Sequence, residues 1–485
     1  MNNPGLIFIL MTVTILVVST TFYMMEMTDF NQRFHQHSEY TQEEMVNLEA
    51  YGIKSHLPII EIDTDGQMIP GNPVKDQVNV YEVTSDGENS VLADLKLYFH
   101  TEENNKNYNV RVRYRGNSSR YFDKKSYALR LVDENGQEQR EALLGMETHD
   151  EWVLNGPYLD RSLLRNYLAM NLSGEIMPYA PDVRYVELIV GGRYEGIYLL
   201  METITKGDGR VEVKEPSRNS HVTGYILEMD RSNKMKKDYM LNEFLTYTLR
   251  SEKKGFEMVY PGQNRYSVDR RHYVEEDFTR IVKSLYEKPL EDSYNGIVEL
   301  IDVRAFQDYF IINELFRNVD SGYYSTFFYK DVRGLLTPVV WDFNNSLDNY
   351  QESTHSVGGF SLASAVIFDT LLKEPIFVEG LINRYYSLRE KVLNEDRIME
   401  YIDNTILYLG SSVERNNTRW NNVYDLTNYN EYEYLTPSSR NVESYEEAVL
   451  QMKSFLLERG RWMDKHINTL RQYSHPSRNS FESTR

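Results

Sequence analysis

Between Leu57 and about residue 230, apolar side chains recur at every second position in short runs. PIIEID, QVNVYEV, LADLKLYFH, YNVRVRYRG and KSYALRLV alternate in this way, with Gly, Asn or Asp between them. Successive side chains of a strand point to opposite faces, so these runs predict an antiparallel sheet. One helix interrupts them. Asp160 is placed to cap RSLLRNYLAMNLSGEI, in which Leu163, Leu164, Tyr167 and Leu168 share a face. RYVELIV and YEGIYLLMETI follow, joined through Gly191 and Gly192, a pair suited to the positive φ of a tight hairpin. TGYILEMD reads as a further strand.

From about residue 270 the apolar period lengthens to that of a helix. EEDFTRIVKSLYEK, VRAFQDYFIINELFRN, FVEGLINRYYSLREKVLN and YEEAVLQMKSFLLERGRWMDKHINTL each carry an apolar stripe. A single predicted hairpin, STFFYK then LLTPVVWDF, breaks this run. Residues 411–442 are rich in Asn, Tyr, Ser and Thr and are expected to be a long surface loop. The fold class expected is therefore α+β, a strand-rich N-terminal half packed on a helix-rich C-terminal half, with a ligand cleft between the two lobes.

The N-terminus differs from everything after it. Residues 6–25, LIFILMTVTILVVSTTFYMM, contain no charged side chain. At a helical rise of about 1.5 Å per residue, such a run spans the roughly 30 Å of a bilayer core. The residues before it carry no Lys or Arg, and VVSTT is a poor cleavage site, so a retained anchor is preferred over a cleaved signal. The organisation predicted is an anchor over 1–28, a polar stalk over 29–56, one large domain over 57–473 and a disordered tail over 474–485.

Composition narrows the chemistry. The formal net charge is −20, a surface that repels nucleic acid. Any site for an anionic nucleotide must then supply its own local cations. The chain has no cysteine, which excludes disulfides, thiolate zinc sites and a cysteine nucleophile.

Three constellations could carry a reaction. In the first, RGNSSR at 115–120 is followed by Lys124 and Lys125. A turn glycine flanked by Arg115 and Arg120 can present cations and backbone N–H groups to phosphates; the ordinary alternative is a hairpin turn with solvated charges. In the second, Glu202 ends an apolar strand, where it either meets a lysine or is merely the first solvated residue. The third runs from Asn313 to Asn349. Asp320 follows a helix, and Asp342 follows the apolar strand TPVVW, 22 residues later. The intervening hairpin can fold back and bring both carboxylates to one end, a set of hard oxygens that suits Mg²⁺. A carboxylate directly after a buried strand is costly unless it is paired or metal-bound.

These segments also resemble the CotH (spore coat protein H) kinase-like family. The matching pieces are RYRGNSSRYFDKKSYALRL, DRSLLRNYLAMNL, VELIVGGRYEGIYLLMETI, GYILEMD, NVDSGYYSTFFYKD, PVVWDFNNSLDN and FLLERGRWMDKHI, in the family's order and over roughly residues 57–470. The resemblance implies a divergent protein-kinase-like, two-lobed fold without an ordinary glycine-rich loop. It implies an atypical protein kinase that uses ATP with Mg²⁺ or Mn²⁺ to phosphorylate Ser/Thr hydroxyls of a cell-envelope or spore-coat protein. Carried onto this chain, Lys125 or its neighbour Lys124 holds the ATP phosphates, Glu202 orients that lysine, and Arg115 supports the phosphate site. Asp320 is the catalytic or metal-proximal aspartate. Asp342 is the principal metal ligand, with Asn344 beside it.

One departure bears on activity. Where the family often has WDFD, this chain has WDFN, so Asn344 brings a neutral oxygen in place of a charge. Ser325 and Thr326 also stand where some relatives have asparagine. A second reading follows: a catalytically weak or inactive envelope or spore-coat protein that uses the fold for binding. A glycoside hydrolase built on Asp320 and Asp342 is chemically conceivable, but no sugar-stacking pattern accompanies the pair.

Overall fold

The computed structural model describes residues 30–38, 45–77, 79–99, 105–242, 254–287, 293–428 and 434–475. The predicted anchor and all but the first two residues of the predicted tail lie outside them. Among the described residues no helix is long and apolar enough to cross a membrane.

The N-terminal half is a closed barrel. A short hairpin of β1 (Val46–Leu48) and β2 (Ile53–Ser55) precedes it. The barrel strands are β3 (Ile59–Asp63), β4 (Val91–Tyr98), β5 (Lys106–Arg115), β6 (Ser126–Val132), β7 (Glu151–Asn155), β8 (Val183–Val190) and β9 (Arg193–Glu202). Their order is β3-β4-β5-β6-β7-β9-β8, and β8 returns to pair with β3 in parallel. The remaining pairs are antiparallel, as the alternation predicts. Gly191 and Gly192 both take positive φ at the β8–β9 turn, where Val190 pairs with Arg193. The described residues of QVNVYEV form no strand. Beyond one isolated bridge from Pro73 to Tyr81, its role is to lay the Tyr81 ring on the Arg120 guanidinium at 3.9 Å.

One barrel face turns inward, with Ile60, Leu95, Val112, Leu131, Trp152, Val186 and Leu200 in a single apolar interior. The outer faces of β8 and β9 place Val183, Tyr185, Ile197 and Leu199 in a second, larger core that contains α1 (Arg165–Ile176). Burial on both faces explains why these two strands read as nearly continuous apolar runs. All twelve residues of α1 are buried, so the helix is a central rod rather than an amphipathic surface helix. It begins later than the predicted cap. Asp160 accepts the N–H of Arg165 at 2.9 Å and pairs with its guanidinium at 2.6 Å.

A second sheet links the barrel to the helices. Its order is β11 (Lys254–Tyr260), β10 (Tyr225–Arg231), β12 (Thr326–Lys330), β13 (Thr337–Val339), antiparallel throughout. The C-terminal half is helical: α2 (Val268–Glu287), α3 (Ser293–Ile297), α4 (Val303–Leu315), α5 (Phe368–Leu371), α6 (Pro375–Glu390), α7 (Glu395–Leu409), α8 (Ser411–Arg419) and α9 (Tyr445–His466). The fold is thus mixed α+β, with strands concentrated in the N-terminal half and helices in the C-terminal half.

Two expectations are corrected. Residues 411–419, expected within a loop, form α8 on the outside of β9. The helix carries few apolar residues, and its polar side chains find partners on the barrel. Arg415 meets Glu187 at 2.8 Å, Arg419 meets Glu195 at 3.0 Å, and Asn416 accepts the N–H of Ile197 at 3.1 Å. The described part of the expected stalk is seated on the body. Asn31 donates to the carbonyls of Gly174 and Met177, Arg33 donates to those of Ala180 and Pro181, and Gln36 pairs with both backbone groups of Tyr185.

Candidate functional site

The site is assembled by one helix start and two loops. α4 ends at Leu315, and the chain turns through Arg317 and Asn318 to Asp320 before entering β12. The β12–β13 hairpin, with Phe327 opposite Val339, then returns the chain to Asp342. Both carboxylates line one cavity of about 610 Å³ between the barrel and the second sheet. The cavity is also lined by Arg113 and Arg115 at the end of β5, by the loop Gly116 to Arg120, by Asn155 at the end of β7 and by Gly156 after it.

Asp342 takes a positive φ of 52°, an uncommon conformation that aspartate tolerates better than most residues. Its Oδ1 accepts from the backbone N–H of Asn344 at 3.2 Å and from the Asn344 side-chain amide at 2.8 Å. The Oδ1 of Asn344 is turned away and accepts from Asn166 at 2.8 Å. Asn166, in the first turn of α1, also accepts the N–H of Phe343 at 2.8 Å. Next to it, Arg165 donates to the carbonyl of Ser346 at 3.0 Å. The central helix therefore fixes the loop that carries Asp342. On the other loop, Asp320 accepts from Asn345 at 2.6 Å.

Burial raises both carboxyls above the usual range. For Asp320 the nearby Asp342 adds to the effect, and for Asp342 the hydrogen bonds from Asn344 and the Arg115 charge oppose it. Two partly desolvated carboxyls that repel each other make a site that gains from a cation. The donors are hard oxygens of the kind Mg²⁺ and Mn²⁺ take. Among the described residues no three acidic or histidine side chains converge closely enough to hold a metal alone. A cation here would therefore need further oxygens, which phosphate can supply.

The sequence-predicted residues divide into two sets. Arg115, Asp320, Asp342 and Asn344 line the cavity together. Lys124, Lys125 and Glu202 do not. Lys124 is buried, donates to Asn416 Oδ1 at 2.8 Å and lies 5.0 Å from the Tyr198 ring centre. Burial pushes its ammonium down to about 7. Lys125 donates to the carbonyl of Arg120 at 2.6 Å, so it braces the 116–120 loop from behind. Glu202 accepts the N–H of Asp182 at 2.9 Å and lies 3.7 Å from Arg210, not from either lysine.

Other cavity residues were not singled out from sequence: Asn166, Asn345, Glu228, Asp230, Arg231 and Lys234. For Glu228 and Asp230 the signal was present. In TGYILEMD the two carboxylates alternate with Leu227 and Met229 of the core, so they share the opposite face. For Asn166 and Asn345 no local signal exists, because each acts across a long sequence separation.

Comparison with known proteins adds two matches. The family model described as CotH kinase protein matches residues 112–463. The inner spore coat protein H of Bacillus subtilis (strain 168) is 31% identical over 101 residues, covering 21% of this chain and 25% of that protein. The matched stretch is thus a quarter of the relative's length.

Proposed function

The chain belongs to the CotH kinase protein family, and from that premise we propose that it is an atypical protein kinase of divergent, protein-kinase-like fold. In this reading it transfers the γ-phosphate of ATP to Ser or Thr hydroxyls with Mg²⁺ or Mn²⁺. The observation that carries it is the convergence of Asp320 and Asp342 on one cavity that Arg115 and the 116–120 loop also line.

Each residue has a distinct task. Asp342, held by Asn344, is the carboxylate that receives the cation. The cation, when bound, neutralises phosphate charge. Asp320 has one oxygen engaged by Asn345, which leaves the other to accept the proton of the attacking hydroxyl. Arg115 and the N–H groups of the 116–119 loop face the anionic substrate, and Arg231 and Lys234 approach from the opposite sheet. Phosphoryl transfer needs positioning and charge neutralisation more than covalent help, and these groups supply both. Lys125 contributes by bracing the loop. Glu202 and Lys124 belong to the framework in this assignment.

The protein substrate is proposed to be a component of the spore or cell envelope, by analogy with the named relative. The uncharged run at residues 6–25 is proposed to tether the domain to a membrane there. Phosphate transfer from ATP to the chain itself or to an envelope extract, followed by mass spectrometry, tests the function. Asp320→Asn should abolish labelling. Wild-type chain that binds ATP with metal but transfers nothing would establish the non-catalytic binding role instead.

A further inference from the structure

Asn166 stands between the central helix and the loop that carries Asp342, buried and bonded at both ends of its amide. Its Oδ1 accepts the backbone N–H of Phe343 at 2.8 Å. Its Nδ2 donates to Asn344 Oδ1 at 2.8 Å and reaches Asn155 Oδ1 at 3.4 Å. Asn344 in turn donates from its own Nδ2 to Asp342 Oδ1 at 2.8 Å. These side chains form a relay that joins α1 to the carboxylate proposed to receive the cation.

A side-chain amide has one accepting and one donating end of nearly the same shape, so its direction follows from its partners. Here the direction is fixed from outside the relay. The Phe343 N–H can only donate, so Asn166 must turn its oxygen there and its nitrogen to Asn344. Asn344 must then turn its oxygen to Asn166 and its nitrogen to Asp342. The far end agrees: the Asp342 oxygen that takes this amide also takes the Asn344 backbone N–H at 3.2 Å. Reversing Asn344 alone would set two N–H groups together at one end and two oxygens at the other, and lose both hydrogen bonds. An aspartate at 344 would not be constrained in this way. It could accept from Asn166 with one oxygen and turn the other toward a cation. Asparagine has a single oxygen, and Asn166 takes it.

We propose that Asn166 is a positioning residue that sets which end of Asn344 faces Asp342, and thereby excludes Asn344 from the ligands of a divalent cation held there. The inference rests on the metal and nucleotide function proposed above, and deepens it by naming the residue that shapes the cation's ligand shell. Of the pair, Asp342 alone then reaches the ion, through the carboxyl oxygen that the relay leaves open. Among the described residues, side-chain and backbone N–H groups bond its Oδ1 and not its Oδ2. Water fills the position that a second carboxylate at 344 would take.

The test counts that water. The full chain in neutral detergent is titrated with MnATP. Electron paramagnetic resonance of Mn²⁺ reports binding, and water-proton relaxation reports the waters on the bound ion. Asn344→Ala should leave their number unchanged, because residue 344 supplies no ligand. Asn166→Asp still accepts from Phe343 but presents an oxygen to Asn344. The amide then reverses, its oxygen joins the ion, and about one water is lost. Asn166→Leu adds no charge, removes the donor and should lose the same water. Adding Asn344→Ala to either variant should restore the wild-type number, and this cycle separates the ligand effect from any general change at 166. Thermal melts check each fold, and the Asn344→Ala comparison stands even where a change at 166 does not fold. A water gained in Asn344→Ala alone would overturn the inference, as would wild-type hydration in folded Asn166→Asp and Asn166→Leu; MnATP binding survives both results. A wild type that binds no MnATP would overturn the proposed function and this inference with it.

Discussion

Asn344 offers its amide nitrogen, not its oxygen, to Asp342. It therefore clamps Asp342, the carboxylate proposed to receive the cation, rather than offering a second ligand oxygen. This changes what Asn344→Asp should do. The substitution would set two carboxylate oxygens about as close as the present 2.8 Å hydrogen bond, and it would remove a donor from a buried acceptor. Without metal the variant should be less stable by about 1–3 kcal/mol. With millimolar Mg²⁺ or Mn²⁺ the loss should be recovered, because a cation between the two oxygens reverses the sign of their interaction. Urea denaturation with and without EDTA measures this. Equal stability in both conditions would show that residue 344 does not adjoin the cation. Sequence alone exposed Asp320, Asp342 and the anomaly of Asn344, because strand ends and hairpins are local features. It did not expose where Lys125 and Glu202 reach, since that depends on how β6 and β9 sit around a closed barrel.

At the scale of elements, the hairpins and strands were legible from alternation and turn glycines, and the long helices from their apolar stripes. The closure of the barrel was not. The parallel pairing of Ile59 to Ile62 with Glu187 to Val190 joins segments more than a hundred residues apart, and no local pattern encodes it. Helix α8 was hidden for a related reason: its stability comes from Glu187, Glu195 and the β9 backbone, not from an apolar stripe of its own. Lys124 belongs to this interface. It is buried against Asn416, and its lowered pKa means that the folded state binds fewer protons than the unfolded state between about pH 7 and pH 10.5. Wild-type stability should therefore rise with pH across that window, and the contribution is lost as pH falls through about 7. Lys124→Met fills a similar volume and leaves Asn416 bonded to Ile197. It should be at least as stable at pH 7, by up to about 1 kcal/mol, with a flatter pH profile. Guanidinium melts at pH 7 and pH 9.5 give the comparison. Loss of nucleotide binding with unchanged stability would instead return Lys124 to the phosphate site.

Over the whole molecule, a net charge of −20 coexists with a cleft lined by Arg113, Arg115, Arg120, Arg231 and Lys234. The same lining also carries Asp160, Glu228, Asp230, Glu257, Asp320, Asp342 and Glu352, more carboxyls than cations, so an anion bound there would need a cation beside it. The N-terminal segment adds a constraint on how the domain hangs from its proposed tether. Residues 30–38 are bonded to the end of α1 and to β8, and Arg33 also meets Asp182 at 3.2 Å. Removing residues 1–28 should release the chain from membranes without lowering its melting temperature. Removing residues 1–44 should cost about 2–5 kcal/mol, from several lost hydrogen bonds at about 1 kcal/mol each. Membrane fractionation and thermal melts of the two truncations separate tether from strap, and equal melting temperatures would show that the strap contributes nothing. The central claim is that Asp320 and Asp342 form one phosphoryl-transfer site, and transfer of radiolabelled γ-phosphate tests it most directly. Wild-type chain with MgATP or MnATP should incorporate label into Ser or Thr, and Asp342→Ala, correctly folded by its melt, should incorporate none; equal labelling of the two proteins would contradict the account.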